Sequence, residues 1–370
     1  MKKILLTLAI AIAFGAICSG NPAEKRYSLY GVAFYNLENL FDTLHDAGKN
    51  DYEFLPDGKN HWGTMKYRAK QKNMARVLSQ LCTDKLKNGP AVIGVSEVEN
   101  RRVLDDLVKE PALAGRGYQV VHVDGPDRRG VDCAFLYNPK YFKKESHMLV
   151  PFYYLDEKQP DVDLGFYVDE NKKVIPYQEL RGDTAYITRG FLVMSGTMAG
   201  ERMHFIVVHW PSRAAGSFAR ERAGYQVYHL KEALLQQDPG CKVIIMGDMN
   251  DDPKDKSMAN ELRCTHKVEK TGPTDLYNPW WNTLYKTGQG SLLYDGKWNL
   301  FDQIVFTGNL LGDDRSTLKF WRNEVFVRDF LFQQSGKNRG EPHRTHASGV
   351  WLNGYSDHLP TIIYLVKEIQ

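Results

Sequence analysis

The chain of 370 residues lacks a strong excess of either charge, with 48 Lys and Arg against 45 Asp and Glu. That near balance permits polyanionic partners without requiring them, because dedicated nucleic-acid binders concentrate basic residues in one patch. Zinc-type cysteine spacing and the CxxC redox motif are both missing. The cysteines at 82, 133, 241 and 264 are widely separated, and Cys133 and Cys241 stand in apolar strand-like contexts, so buried thiols are expected. A disulfide is allowed outside the cytoplasm, yet spacing alone names no pair. The chain also has no internal repeat, low-complexity tract or Pro/Gly/Ser-rich linker. Strands mixed with helices and no linker argue for a single α/β domain.

Long apolar runs are nearly absent too. The exception is Ile4–Ile17, preceded by Lys2-Lys3 and followed by Cys18-Ser19-Gly20-Asn21. It is too short to span a bilayer comfortably, and its basic, apolar and small-residue order describes a secretory signal peptide over residues 1–22. Cys18 is a candidate lipoprotein acylation site, although Ile17 is bulky where a small residue is usual. The expected product is an exported domain over residues 23–370, periplasmic, outer-membrane-attached or secreted. A lipid anchor is then its only expected membrane contact.

Strand signals recur from end to end: Leu29–Tyr35, Ala91–Val95, Tyr118–Val123, Cys133–Tyr137, Phe191–Gly196, His204–His209, Val243–Met246, Asp302–Phe306 and Pro360–Val366. Two helices interleave. Met65–Leu81 places Met74, Val77, Leu78 and Leu81 on one stripe, and Ser217–Gln236 does the same with Ala223, Val227, Leu230 and Leu234. Leu155–Gly182, Thr265–Gly296 and Leu331–Ser348 are less periodic and read as long loops. The middle one is rich in aromatics, including Trp280, Trp281 and Tyr285.

Polar residues end or open these strands more often than turns require. Asn36 follows the first strand, Glu97 the second, and His209 another, leading into Trp210-Pro211-Ser212-Arg213. Val243–Met246 runs into Gly247-Asp248-Met249-Asn250-Asp251-Asp252-Pro253. If extended geometry persists, Asp248 and Asn250 point the same way, offering a carboxylate and a carboxamide to an anionic oxygen. An Asx turn closing the strand is the simpler reading of the same residues. Asp302 opens a late strand, and Ser356-Asp357-His358-Leu359-Pro360 opens the last. Any one of these is ordinary. Six along one α/β chain are not, and strand ends are where such folds gather ligands.

The ordered set Asn36, Glu97, His209, Asp248/Asn250, Asp302 and Asp357/His358 resembles the endonuclease/exonuclease/phosphatase superfamily. Its members include pancreatic-type deoxyribonuclease, abasic-site endonucleases, bacterial sphingomyelinases and inositol-polyphosphate phosphatases. The segment Phe34-Tyr35-Asn36-Leu37-Glu38-Asn39-Leu40-Phe41-Asp42 looks like the secreted bacterial branch. The resemblance implies a four-layer α/β sandwich of two packed mixed β-sheets flanked by helices, with the site at one edge. It implies a metal-dependent phosphoesterase, in which Glu97, with Asn36 and Asp357, holds Mg²⁺, Mn²⁺ or Ca²⁺. Asp248 orients and deprotonates the attacking water, with His358 the alternative base. Asp302 orients His358, and Asn250 and His209 donate to the developing phosphoryl charge. Arg213 is a candidate phosphate clamp, because its planar fork suits a phosphate. Arg129 and Asp132 stand where relatives carry substrate-facing residues.

The reaction is better specified than its substrate. Asp251-Asp252-Pro253 replaces the aromatic-basic pair that inositol-polyphosphate phosphatases carry after Gly-Asp-x-Asn. A sphingomyelinase needs an exposed apolar hairpin, for which Trp280-Trp281 is the candidate. An extracytoplasmic nuclease acting on phosphodiesters, with nucleic acid as partner, is the leading expectation. Phosphomonoesterase or phospholipid hydrolase activity is the alternative. An inactive binding module would lack Glu97, Asp248 or His358, and all three are present.

Overall fold

The computed structural model describes residues 25–154, 164–177, 186–347 and 349–369. The leader, with Cys18, lies outside the described residues, as does much of the loop expected over 155–182. The strands used below are β1 (Arg26–Leu40), β2 (Val92–Val98), β3 (Gln119–His122), β4 (Asp132–Tyr137) and β5 (Phe142–Tyr154), then β6 (Tyr186–Met198), β7 (Glu201–His209) and β8 (Lys242–Asp248). After them come β9 (Cys264–Thr265), β10 (Leu276–Tyr277), β11 (Leu292–Tyr294), β12 (Lys297–Asn299), β13 (Asp302–Thr307), β14 (Lys319–Val325) and β15 (Thr361–Ile369). The helices used below are α1 (Thr64–Gln80), α2 (Arg101–Lys109), α3 (Ser217–Gln237) and α4 (Trp280–Thr287).

Two mixed sheets follow from these strands. One runs β14-β15-β1-β2-β4-β3 and the other β9-β10-β13-β8-β7-β6-β5. Only β1/β2, β7/β8 and the short β9/β10 are parallel pairs within them. The strand period sorts the core. On β8, Ile244 and Met246 face the other sheet, while Val243 and Ile245 join α3 through Ala223, Val227, Leu230 and Leu234. Gly94 on β2 faces Met246, whose sulfur lies 2.5 Å from where a Cβ would sit, so the sheets approach closely there. Met74, Val77 and Leu78 of α1 and Val103, Leu104 and Leu107 of α2 join the core on the first sheet. The result is the helix–sheet–sheet–helix sandwich implied by the sequence resemblance.

The region expected to be a loop over 265–296 contains α4 and part of a hairpin, β11/β12. Trp280 is fully buried and its indole N–H donates to the Ile304 carbonyl at 2.9 Å, so it packs the core and presents nothing to a membrane. Trp281 stacks on His266 at 4.2 Å. Trp280 and Leu284, one turn apart, anchor this helix, and two residues make too short a stripe to betray it. The expected strands stop short of the observed ones at one or both ends in β1, β2, β6, β7, β8 and β15, and β5 was missed because charged residues interrupt Phe142–Tyr154.

Gly247 shows how tightly β7 and β8 are joined. A Cβ there would lie 2.1 Å from the Val208 carbonyl oxygen. Gly247→Ala is therefore expected to destabilise the fold by about 2 kcal/mol or more, since backbone cannot move aside cheaply. Urea unfolding measures this, and an unchanged midpoint contradicts the β7/β8 register.

Candidate active site

The sheet registers bring the polar strand ends to one edge. Asp248 pairs with His209 across the parallel β7/β8 ladder and with Asp302 across the antiparallel β8/β13 ladder. Asn36 pairs with Ser96 on β2, one residue before Glu97. Ser356 donates to the Asn36 carbonyl at 2.8 Å, which seats the Asp357-His358 turn against β1.

Glu97 sits in a bulge. The β1/β2 and β2/β4 ladders both shift register there, and Glu97 adopts φ +59°. A left-handed glutamate is uncommon and persists only where its surroundings hold it. Here the Asn39 amide donates to Oε2 at 3.0 Å and Asn36 Nδ2 to Oε1 at 3.2 Å. The bulge turns the carboxylate toward Asp248, to which Asn36 Nδ2 also donates at 3.0 Å. Asn36 Oδ1 accepts the Glu38 amide, so the face that Asn36 shows the two carboxylates is its nitrogen.

The extended geometry expected through Asn250 stops at Asp248. Asn250 takes φ +51°, its amide donates to Asp248 Oδ1 at 2.9 Å, and its Nδ2 donates to the Trp210 carbonyl at 3.0 Å. The two side chains thus meet through an Asx turn rather than a shared strand face. Asp248 is buried, and its carboxyl is pushed up to about 7 by desolvation, with Asp302 and Glu97 adding and His358 opposing.

His358 lies between two aspartates. Its Nδ1 is 2.7 Å from Asp302 Oδ2 and its Nε2 is 3.8 Å from Asp248 Oδ2. Burial favours the neutral ring, but Asp302 and Asp248 outweigh it and hold the pKa well above the ordinary histidine value. Ser291 Oγ braces Asp302, and Leu292 of β11 bridges to His358. His209 behaves oppositely. Its Nε2 is 3.6 Å from Asp248 and 3.8 Å from Glu97, yet desolvation, reinforced by Arg189, Arg129 and His358, keeps it neutral.

Of the other expected residues, Asp357 and Arg213 have their charges already matched. Asp357 pairs with Arg344 at 2.9 Å, with His358 Nε2 4.0 Å away. Arg213 is shared between Asp252 at 3.4 Å and Asp255 at 3.3 Å, and stacks over Phe301 at 4.4 Å. Arg129 is exposed, near enough to His209 to influence its proton. Asp132 is buried and accepts from Gly125 and the His122 ring, so it faces its own loop.

Three further charged residues, Glu38, Lys70 and Arg189, were not singled out in the sequence. Glu38 is buried, accepts from Arg344 and from the Thr345 amide, and is pushed up to about 7 by burial. Lys70 of α1 holds Thr345 and the Tyr355 carbonyl, and burial lowers its pKa to about 8. Together they staple the turn bearing Asp357 and His358 to β1. Buried Arg189 donates to the His209 and Trp210 carbonyls while pairing with Asp127 at 2.7 Å. Glu38 stands two residues after Asn36, and that period-two pattern of polar residues could have found it.

A sequence profile described as the endonuclease/exonuclease/phosphatase family matches residues 31–163 and 150–367. The chain belongs to this family. No curated protein matches it significantly in sequence. Among solved structures, an endonuclease/exonuclease/phosphatase family protein from Bacteroides thetaiotaomicron aligns at TM-score 0.52 and 16% identity, covering 93% of this chain and 97% of that one. A Bacteroides thetaiotaomicron mannosyl-6-phosphatase aligns at 0.50 and 16%, covering 91% and 99%. TDP2 from D. rerio, complexed with single-strand DNA product, aligns at 0.50 and 13%, again covering 91% and 99%. At these identities the likeness to these family structures is one of fold.

Proposed function

We propose that this family member is a metal-dependent phosphoesterase that hydrolyses phosphodiester bonds, acting as a nuclease outside the cytoplasm. The observation that carries the reading is the buried line Asp302–His358–Asp248, with His209 Nε2 within 4 Å of both Asp248 and Glu97. Its members differ in charge at neutral pH. A cationic His358 stabilises phosphoryl oxygen, while neutral His209 offers a hydrogen bond without attracting a competing anion. Asp248 takes the proton of the attacking water, and Asp302 fixes the His358 tautomer and orientation. Asn250 spends one Nδ2 hydrogen on Trp210, leaving the other for a phosphoryl oxygen.

The residues fit a hard divalent cation. Glu97 and Asp248 converge on one amide nitrogen with Asp357 beside His358, an oxygen-donor set without a thiol. Glu97 and Asp357 would hold Mg²⁺, with Mn²⁺ or Ca²⁺ as substitutes, and the expected ligand Asn36 would serve instead to fix the Glu97 carboxylate, because its nitrogen faces the carboxylates and its Oδ1 accepts the Glu38 amide. When bound, such an ion neutralises phosphate charge and stabilises the leaving oxygen. Arg213, Arg129 and Asp132 are the proposed substrate-side residues, Arg213 once substrate phosphate competes with Asp252 and Asp255.

The DNA-bound TDP2 fold neighbour supports a nucleic-acid substrate. A second reading, a phosphomonoesterase acting on a small ester, is favoured by the carboxylates that already neutralise Arg213 and by the mannosyl-6-phosphatase neighbour. The basic and apolar leader supports export. EDTA is expected to abolish hydrolysis of bis-p-nitrophenyl phosphate, with Mg²⁺ or Mn²⁺ restoring it. Plasmid DNA is expected to be nicked under the same conditions. Metal-dependent phosphate release from small monoesters, without action on DNA or RNA, selects the second reading. Hydrolysis untouched by EDTA sinks the metal requirement.

A further inference from the structure

A polar recess opens beside the two carboxylates assigned to the metal. It encloses about 200 Å³ between the end of β1, the loop from there to α1, and the loop joining β14 to β15. Two residues of its lining touch the site directly. The Asn39 amide donates to Glu97 Oε2 at 3.0 Å, and Arg344 Nη2 lies 2.9 Å from Asp357 Oδ2. A group carried on a phosphate at that metal therefore has this recess next to it.

The lining restricts what can fill the space. Its cations, Lys59 and Arg344, are matched in number by the carboxylates of Glu38 and Glu53, with Asp357 behind Arg344. No excess positive charge is left to hold a second phosphate. Phe54 is the only apolar side chain of the lining, and its ring already stacks on Phe41 at 4.3 Å. What remains is hydrogen bonding. Asn60 is only 9% exposed, yet its hydrogen bonds are all made by the main chain. Its amide donates to the Glu53 carbonyl at 3.1 Å and its carbonyl accepts from Lys66 at 2.6 Å. The Asn60 carboxamide has no partner among the described residues, nor have the side chains of Asn39, Glu53 and Lys59. Arg344 spends Nε on Glu38 and Nη2 on Asp357, which leaves Nη1.

A carboxamide both donates and accepts, as a hydroxyl does, so two carboxamides with a carboxylate and spare cationic N–H groups suit neighbouring hydroxyls. The volume lies below the roughly 300–1,000 Å³ of pockets for drug-sized ligands, which limits the occupant to about one ring. We propose that the recess seats a sugar ring with free neighbouring hydroxyls, carried on the phosphate that is cleaved, and that Asn60, Asn39 and Glu53 set the specificity for it. The inference rests on the phosphoesterase reading and deepens it by naming the chemical class beside the scissile bond. Ribose and a hexose share this chemistry. An aryl ester presents nothing to the carboxamides.

The test presents ribose and glucose each in two forms to the full chain with Mg²⁺: as ribose 5-phosphate or glucose 6-phosphate, and as the p-nitrophenyl diester of each. The sugar-free references are p-nitrophenyl phosphate and bis-p-nitrophenyl phosphate. Asn60→Ala is expected to raise KM for the sugar ester about fivefold or more relative to the aryl ester of the same class, the size of one lost hydrogen bond. Glu53→Ala, on the exposed rim, is expected to shift that ratio in the same direction, which keeps the test decisive should the Asn60 variant not fold. An effect on either sugar supports the proposal and names the source of the ring. If both variants keep the wild-type ratio, the sugar subsite is overturned while the phosphoesterase reading stands. A chain that hydrolyses none of these esters overturns both.

Discussion

Asp248→Asn is expected to lower turnover by about a thousandfold with little change in fold. The magnitude is that of losing a positioned general base, about 10²–10⁴ in rate. Asparagine keeps the shape of the side chain and the Asx turn through Oδ1, but its nitrogen replaces the oxygen that accepts from Asn36, and it cannot take a proton from water. The sign of the pH effect follows from the raised pKa. Burial pushes the Asp248 carboxyl up to about 7, so the base-competent carboxylate is gained as pH rises through that value. The wild-type rate is expected to show an acid limb that a bound cation moves to lower pH, and the limb is expected to vanish from the residual activity of Asp248→Asn. Stopped assays on bis-p-nitrophenyl phosphate between pH 5 and 9 measure both. Near-wild-type turnover in the variant rules out Asp248 as the base and returns the role to His358.

The Gly247-Asp248-Met249-Asn250 segment was readable because a buried strand must be apolar, so any charged residue at its end stands out. The same contrast exposed Glu97, His209, Asp302 and His358, and sheet register then placed them within a few ångströms of one another. What the one-dimensional pattern does not carry is backbone curvature and distant closure. Glu97 reaches the site only through a bulge shared by two ladders, and Asn250 leaves the strand face because it adopts a left-handed conformation. Both depend on neighbouring strands. Glu38 meets Arg344 across 306 residues, and Lys70 meets Tyr355 across 285, so neither pair has a local signature. Arg213 makes the same point in reverse. Its fork suits a phosphate, yet Asp252 and Asp255 from the following turn already occupy it. Residue type was legible, whereas occupancy required the fold.

His358→Ala is expected to cost both activity and stability, and Asp302→Asn to separate the two. Removing the imidazole leaves Asp302 fully buried with Ser291 as its main remaining donor, and its Oδ1 already lacks a partner. Breaking a buried pair from one side costs about 3–5 kcal/mol, because an uncompensated charge stays behind. Asp302→Asn instead keeps a neutral group of the same size and removes the anion that holds the His358 proton. The His358 pKa is raised above its unfolded value despite burial, chiefly by Asp302 and then Asp248. Its contribution to stability is thus fully present below about pH 6.5 and is lost as pH rises through the raised native value. Wild-type urea midpoints are expected to fall across that alkaline range, and Asp302→Asn is expected to flatten the fall. The alkaline limb of its rate profile moves to lower pH in the same variant, with turnover down by about 10²–10⁴ as the imidazole loses its orienting partner. A variant with the wild-type pH profile would show that Asp302 only fills space, and the buried line would then be two residues long.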